Sequence, residues 1–291
     1  MTIVAARLPV RIVLSHASRT GLPDKRRCRR RRLAVLGLAL LIAGCGSGAR
    51  PSVAPHATFS AQLARLREIL PPASAKLPSP TNTRAVERDF LTAIADDTQR
   101  VWRREFAVSH LTYRPARIVV FSNRVQSDCG HELDSGPFYC TADRTVYLDV
   151  QFFLELPDNA GVGSAAQAYI VGHEFGHHVQ HLLGITRNVV DANRVDPKGE
   201  NARSVRFELQ ADCLAGVWGH SAYPRSELTI EDLRGALKSA DVIGDDYLQR
   251  AAGYVVDSAL WTHGSSQQRQ YWVRTGYRSG RPSVCDTFAS R

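Results

Sequence analysis

A histidine–glutamate motif lies in the middle of the chain. The segment Val171–His178 contains the pattern H-E-x-x-H, with His173, Glu174 and His177 at its three defined positions. On a helix, side chains four residues apart project from one face, about 5–6 Å from each other. Two imidazoles with this spacing can bind a single Zn²⁺ through their nitrogen atoms. Glu174 then lies beside the metal, where it suits a general base acting on a metal-bound water.

The same pattern also occurs by chance on helices whose histidines and glutamate are simply solvated. Here the neighbouring sequence favours a buried helix. Ser164 and Gln167 have the spacing of a capping box, and Gly184 is typical of the residue that follows a helix end. Apolar residues recur between them at helical spacing. The sequence therefore predicts a helix whose histidine face lines a cleft, with His178 and His181 structural or exposed.

Two histidines are an incomplete site, because a catalytic zinc takes three protein ligands and a water. Leu183 stands where the longer motif H-E-x-x-H-x-x-G-x-x-H has a third histidine. Glu208 is favoured instead, since a carboxylate in so apolar a helical segment requires a partner. Asp212, one turn later, would accept the N–H of a ligating histidine. Glu200 is the alternative ligand, and a solvated acidic stripe is the alternative interpretation of the pair.

The first 44 residues have the composition of an export signal. Residues 25–32 carry seven basic side chains, and residues 33–43 form a short apolar run. Small residues precede Cys45, in the order of a bacterial lipoprotein signal, so that Cys45 becomes the lipidated mature N-terminus. An ordinary secretory signal and an uncleaved anchor are the alternatives. The lipoprotein interpretation predicts an extracytoplasmic protein, lipid-anchored to the membrane of the bacterial cell envelope.

The net charge bears on the class of partner. The chain has a formal net charge of +9, while residues 1–44 contain ten basic side chains and one acidic side chain. Removal of those residues leaves a mature chain with no net charge. The basic balance therefore belongs to the signal, and neither charge nor any motif indicates binding to nucleic acid.

Composition divides the mature chain into a tether and a domain. Residues 45–82 are rich in Gly, Ser, Ala and Pro, as in a flexible tether, with a short helix over residues 59–70 as an alternative. Residues 83–291 suffice for one sizeable core, predicted to be α+β and mostly helical with a small sheet. The predicted elements are helices over 85–109, 229–240, 245–252 and 266–274, a strand over 117–121, a hairpin of strands 136–140 and 145–150, and a loop over 187–201.

The cysteines of the predicted domain agree with export to an oxidising compartment. Cys129, Cys140, Cys213 and Cys285 allow three disulfide pairings. Cys129 with Cys140 encloses a short loop and is the first choice, which leaves Cys213 with Cys285. Four free thiols or a cysteine-bound zinc are the alternatives. The lack of any C-x-x-C pair argues against them.

Several sequence blocks, in the same order over residues 113–287, resemble the bacterial family of predicted neutral zinc metallopeptidases. The blocks are Gly136–Cys140, Val146–Asp149, Gly172–Gln180, Glu208–Trp218, Ile243–Asp246 and His263–Arg269. The resemblance implies a zincin-like fold in which His173, His177 and Glu208 bind Zn²⁺. It implies that Glu174 is the general base. The chain departs from the family pattern at Thr141, where the family has proline. This position is not part of the candidate site.

The reaction implied by this resemblance is hydrolysis of a peptide bond in a protein or peptide substrate. His263 is the candidate for stabilising the oxyanion, with capping of the following helix as the alternative role. The edge of strand 146–150 is expected to pair with an extended peptide. A non-catalytic binding or chaperone-like lipoprotein is the alternative function. Glu174 argues against it, because a structural zinc site needs no base.

Overall fold

The described part of the protein, in a computed structural model, comprises residues 56–66, 84–133, 136–156, 164–222 and 243–289. These residues all belong to one compact unit. The predicted signal over residues 1–44, its Cys45 and the predicted helix 229–240 lie outside the described residues. None of the described helices combines the length and the hydropathy that a membrane span requires.

The described elements form a mostly helical α+β architecture, as the sequence predicts. The helices are α1 (His56–Leu63), α2 (Arg84–Val108), α3 (Val150–Glu155), α4 (Ser164–Leu183), α5 (Ile185–Val195), α6 (Glu200–Ala222), α7 (Asp245–Ala251) and α8 (Ser266–Ser279). The strands are β1 (Arg117–Phe121), β2 (Arg124–Ser127), β3 (Gly130–Leu133), β4 (Phe138–Cys140) and β5 (Thr145–Asp149). Short 3-10 turns occupy Pro197–Gly199, Ser258–Leu260 and Pro282–Cys285.

The main sheet has the strand order β1–β5–β4. The predicted hairpin is confirmed, because β4 and β5 pair antiparallel, and β1 has the predicted bounds. However, β1 also pairs with β5, in parallel, so β5 is the central strand. The prediction that the edge of strand 146–150 pairs with a peptide is therefore wrong over Thr145–Tyr147, where β1 and β4 occupy both edges. For Leu148 and Asp149, which pair with β1 alone among the described strands, it stays a prediction. The separate β2–β3 hairpin was not predicted, because β2 is half-exposed and lacks an apolar alternation.

Helix α1 falls within the range predicted to be a flexible tether. Its Phe59 and Leu63 are buried in the core, and the Phe59 ring stacks on that of Phe288 with centroids 4.2 Å apart. With Leu66 these side chains follow helical spacing, so they can bury one apolar face against the domain. Residues 56–66 thus pack against the domain. The rest of the predicted tether lies outside the described residues.

Helix α5 occupies most of the range predicted to be a loop, so that prediction is wrong. Ile185, Val189 and Ala192 are buried and lie on one helical face. Arg187 and Asp191, which lie between them, are exposed on the opposite side. Gly184 separates α4 from α5 with a φ of 82°, a conformation that glycine adopts without steric cost. The predicted end of α4 is therefore confirmed.

The two helices that carry the candidate ligands approach each other closely. A Cβ atom at Gly176 of α4 would lie only 2.9 Å from the Cα atom and the carbonyl oxygen of Ala211 in α6. Glycine at this position therefore allows α6 to lie directly against the face of the motif. Both predicted disulfides are present, Cys129–Cys140 and Cys213–Cys285. The second joins α6 to the C-terminal segment.

Candidate metal centre and active site

Helices α4 and α6 bring together the three predicted ligands. His173 and His177 lie one turn apart on α4 with their Nε2 atoms 3.1 Å from each other. From α6, the Glu208 carboxylate places Oε2 3.1 Å from the His173 Nε2 atom and Oε1 3.6 Å from the His177 Nε2 atom. All three side chains are buried, and one donor atom of each lies within 4.8 Å of the others.

The alternative ligand, Glu200, is far from this cluster. It lies in the first turn of α6 and is exposed. Eight residues separate it from Glu208, which corresponds to about 12 Å along a helix axis. Of the two carboxylates considered from the sequence, the structure brings only Glu208 to the histidines.

The Asp212 carboxylate fixes the orientation of one ligand ring. Its Oδ1 atom lies 2.7 Å from the Nδ1 atom of His173. Burial raises the pKa of Asp212, but Arg269 and His173 lower it by more than burial raises it, so that the pKa is about 2. An ionised carboxylate can only accept, so His173 donates its Nδ1–H and turns Nε2 toward Glu208. This contact corresponds to the role predicted for Asp212.

A glutamine fixes the second ring in the same way. His177 Nδ1 lies 2.8 Å from the Gln180 side-chain oxygen. The Gln180 amide nitrogen donates to the Phe207 carbonyl at 2.8 Å and to the Gln210 side-chain oxygen at 3.0 Å. The amide orientation is therefore set by these two acceptors, and the Gln180 oxygen accepts the Nδ1–H of His177. Gln180 lies one turn after His177 and was not predicted to contribute.

The cluster favours a positive charge among its donor atoms. Burial lowers the pKa of His173, but Asp212 and Glu208 raise it more, to about 10. Burial raises the pKa of Glu208, yet His177 and His173 hold it well below its usual range. Two nitrogen donors and one ionised carboxylate, converging in a buried place, match the His₂Glu ligand set of catalytic zinc sites. The residues therefore fit Zn²⁺.

Glu174 is buried beside the two histidines without a hydrogen bond from any described residue. Burial raises the pKa of Glu174, and the nearby His173 and His177 oppose that shift. A cavity of about 10 Å³, close to the space that one water molecule occupies, borders Glu174 together with Phe152 and Ile170. A carboxylate in such a place has an elevated basicity and a free lone pair, as a general base requires.

His263 lies close enough to Glu208 that each shifts the pKa of the other. Burial lowers the pKa of His263, but Asp245, whose Oδ1 atom is 3.3 Å from Nδ1, and Glu208 raise it above its usual value. The other Asp245 oxygen accepts the backbone N–H of His263 at 2.6 Å. The alternative role of helix cap is wrong, because Ser265 caps α8 through a capping box with Gln268.

Comparison with known proteins identifies the family. A match to the family described as "Putative neutral zinc metallopeptidase" covers residues 31–288. The chain belongs to this family. It is 43% identical over 202 residues to "Uncharacterized protein YpfJ" of Escherichia coli (strain K12), across 68% of this chain and 70% of that protein. It is 40% identical over 191 residues to "Uncharacterized protein Rv2575" of Mycobacterium tuberculosis (strain ATCC 25618 / H37Rv), across 61% and 64%. No solved structure matches the chain significantly.

In this family member, the Asp212 carboxylate is held by two further side chains that were not predicted. Arg269 of α8 donates from Nε to Oδ2 and from Nη2 to Oδ1, both at 2.9 Å. The Tyr169 hydroxyl donates to Oδ1 at 2.6 Å. Arg269 is almost fully buried. A sequence signal did exist, because Arg269 shares the buried helical face of Trp272, Val273 and Gly276.

Two other histidines of α4 have structural contacts, as predicted. His178 lies 3.0 Å from the Tyr139 hydroxyl through Nδ1 and donates from Nε2 to the Arg114 carbonyl at 2.9 Å. Burial lowers the pKa of His178 to about 3, so this ring is neutral. His181 contacts the same Tyr139 hydroxyl through Nδ1 at 2.8 Å. Both rings face the sheet rather than the candidate metal ligands.

Replacement of Asp212 tests whether its carboxylate supports the candidate centre. We expect Asp212→Asn to weaken zinc binding about 10–100-fold, since the amide orients His173 less firmly and leaves Arg269 without its anion. Competition with a chromophoric chelator measures the zinc affinity. Asp191→Asn, at an exposed surface pair with Arg194, is the control. Equal affinity in the two variants would contradict the proposed support.

Proposed function

We propose that the protein is a zincin-like zinc metallopeptidase that hydrolyses peptide bonds in proteins or peptides. The observation that carries the proposal is the convergence of His173, His177 and Glu208 within 4.8 Å of one another. These residues would hold Zn²⁺, which when bound supplies a Lewis acid and lowers the pKa of water toward about 7. Three protein donors, rather than four, are typical of catalytic sites.

Glu174 acts in this proposal as the general base. It is adjacent to both candidate histidine ligands and accepts no hydrogen bond from a described residue, so its lone pairs are available to a water. After taking a proton from water, Glu174 would pass it to the leaving amine, and burial raises its pKa in the direction that favours this transfer. General acid–base assistance of this kind accelerates a reaction about 10²–10⁴-fold.

His263 stabilises the negative charge that develops on the scissile carbonyl oxygen. Asp245 positions the ring through Nδ1 and, with Glu208, raises its pKa above the usual value. A protonated or hydrogen-bonding imidazole near the reacting carbonyl stabilises an oxyanion electrostatically. Asp245 is thus a positioning residue. It belongs to the sequence block Ile243–Asp246, but the sequence did not predict a role for it.

The proposed location rests on the sequence. Residues 1–44 are proposed to be a lipoprotein signal, and Cys45 to carry the lipid that anchors the protein on the extracytoplasmic side of the bacterial membrane. The domain over residues 83–291 then acts on substrates in the cell envelope. The two disulfides support export, because such bonds persist in oxidising compartments.

A non-catalytic binding or chaperone-like lipoprotein with the same fold is the second candidate function. The buried Glu174 beside the metal ligands disfavours it. A binding protein gains nothing from burying a carboxylate without a hydrogen-bond partner, since burial of such a group costs stability. The three-donor set also disfavours a purely structural zinc, because structural zinc sites usually have four protein ligands.

Removal of the metal tests the proposed activity. We expect the purified mature protein to hydrolyse an unstructured protein such as casein, to lose this activity with 1,10-phenanthroline and to regain it when Zn²⁺ is returned. The non-chelating isomer 1,7-phenanthroline is the control for nonspecific inhibition. Fluorescence of labelled casein measures the rate. Hydrolysis that persists after complete removal of zinc would exclude a zinc peptidase.

A further inference from the structure

A large cavity in the described part of the molecule lies near the segment that carries His263. It has a volume of about 670 Å³ and is bordered by α6, α8, the segment before α8 and the C-terminal segment. Val205 and Leu209 of α6 line it, and a Cβ atom at Gly264, next to His263, would lie 3.2 Å from each of them. Trp261, two residues before His263, lines it as well. A volume of this size is in the range of ligand-binding pockets.

The chemistry of the cavity wall is aromatic with a single charge. Trp261, Tyr271 and Trp272 contribute rings, and Arg206 contributes the one charged side chain among the described lining residues. Arg206 is half-buried, and its guanidinium makes no hydrogen bond or ion pair with any described residue. The buried Arg269 is paired with Asp212, whereas the Arg206 guanidinium has no such partner among the described residues and can bind an external carboxylate.

An exposed apolar segment, residues 254–260, continues this wall onto the surface; we call it the apolar strap. Tyr254 is 72% exposed, Val255 91% and Leu260 66%. Clustered exposed apolar side chains of this kind mark interaction surfaces. Aromatic residues and arginine are also the types that contribute most to binding at protein interfaces. The cavity and the apolar strap therefore form one candidate docking surface.

The apolar strap is held in place by specific hydrogen bonds. Gln249 accepts the Trp261 indole N–H at 3.1 Å and the Asp257 backbone N–H at 2.9 Å through its side-chain oxygen. The Asn201 side chain of α6 donates to the Ala259 carbonyl at 2.8 Å. These bonds fix a loop whose apolar side chains point to solvent, so a partner meets a preorganised surface, which reduces the entropic cost of binding.

We infer that the cavity and the apolar strap bind a segment of the polypeptide substrate in which carboxylates accompany large apolar side chains. The inference rests on the proposed peptidase function and assigns substrate capture to a surface near His263. Arg206 matches a carboxylate through its planar set of donors. A lipid surface fits less well. A surface that binds lipid headgroups carries unpaired basic residues around its apolar side chains. The apolar strap instead contains Asp257, and Arg250 is paired with Asp246 at 2.8 Å.

The test uses binding that does not depend on hydrolysis. Three fluorescein-labelled peptides are compared, in which Leu and Phe alternate with Glu, with Gln or with Lys. Each is titrated with the full mature protein carrying Glu174→Gln, and fluorescence anisotropy gives the Kd. We expect the Glu peptide to bind at least about tenfold more tightly than the Lys peptide. Arg206→Glu should invert that preference and Arg206→Gln should abolish it. Arg274→Glu, on an exposed position of α8 outside the cavity, should leave it unchanged.

A Trp261→Ala variant should weaken the Glu and Gln peptides alike by about tenfold or more, because it removes a wall that every peptide contacts. Equal Kd values for the three peptides, or a preference that survives Arg206→Glu, would overturn the inference. Binding to phosphatidylglycerol vesicles without binding to any peptide would overturn it in favour of a lipid surface. The hydrolysis assay of the wild-type protein reports separately on the peptidase function, so failure of one claim is distinguishable from failure of the other.

Discussion

The Glu174→Gln variant is expected to keep its zinc and to lose hydrolysis by about 10²–10⁴-fold. The amide has nearly the shape of the carboxylate, and the side chain makes no hydrogen bond to a described residue, so the fold and the three ligand side chains should be undisturbed. What the variant lacks is the basic oxygen that takes a proton from water. Zinc content by atomic absorption and the rate of casein hydrolysis measure the two effects on one sample.

A matched control for this variant is Glu155→Gln, since Glu155 is exposed on α3 and its one hydrogen bond among the described residues is with Gln151. It should retain both zinc and activity. Loss of zinc in Glu174→Gln would show that this carboxylate is a ligand rather than a base. Unchanged hydrolysis in Glu174→Gln would show that proton transfer occurs elsewhere, and the proposed mechanism would be wrong.

The second large effect is expected at Glu208, where Glu208→Gln should weaken zinc binding by more than about 100-fold. The effect should exceed that of removing a supporting residue, because a charged donor is replaced by a neutral one. The change also removes an anion that raises the pKa of His173. Titration with a competing chelator measures the affinity, and circular dichroism verifies that the helices remain.

Glu200→Gln provides the comparison on the same helix. Glu200 is exposed in the first turn of α6, and the variant should bind zinc as the wild-type protein does. If Glu200→Gln loses zinc while Glu208→Gln retains it, the assignment of the third ligand is reversed. If both retain it, the carboxylate ligand lies elsewhere in the chain.

The parts of the site that could be predicted from the sequence are those with local signals. His173, Glu174 and His177 lie within one turn of helix, and Gly184 marks the end of that helix. Glu208 was predictable because a carboxylate in an apolar helical segment needs a partner. The capping box at Ser265 likewise depends on residues only a few positions apart.

The parts that could not be predicted depend on contacts between distant segments. The position of β5 at the centre of the sheet follows from its pairing with β1, which no local pattern encodes. The pairing of Arg269 with Asp212 joins residues 57 positions apart. The docking of α1 onto Phe288 is of the same kind, and a Gly-, Ser- and Pro-rich composition concealed it. Local patterns predicted most of the helices and strands. Which of them pack or pair with each other could be learned only from the structure.

The most direct test of the central claim is X-ray absorption spectroscopy at the zinc edge of the purified mature protein. The account predicts one zinc per chain with two imidazole nitrogens, at least one carboxylate oxygen and no sulfur, at metal–ligand distances of about 2.0–2.2 Å. The Glu208→Gln variant should show a changed oxygen shell or no zinc. A spectrum with sulfur ligands, or a wild-type protein that binds no zinc at micromolar concentration, would contradict the account.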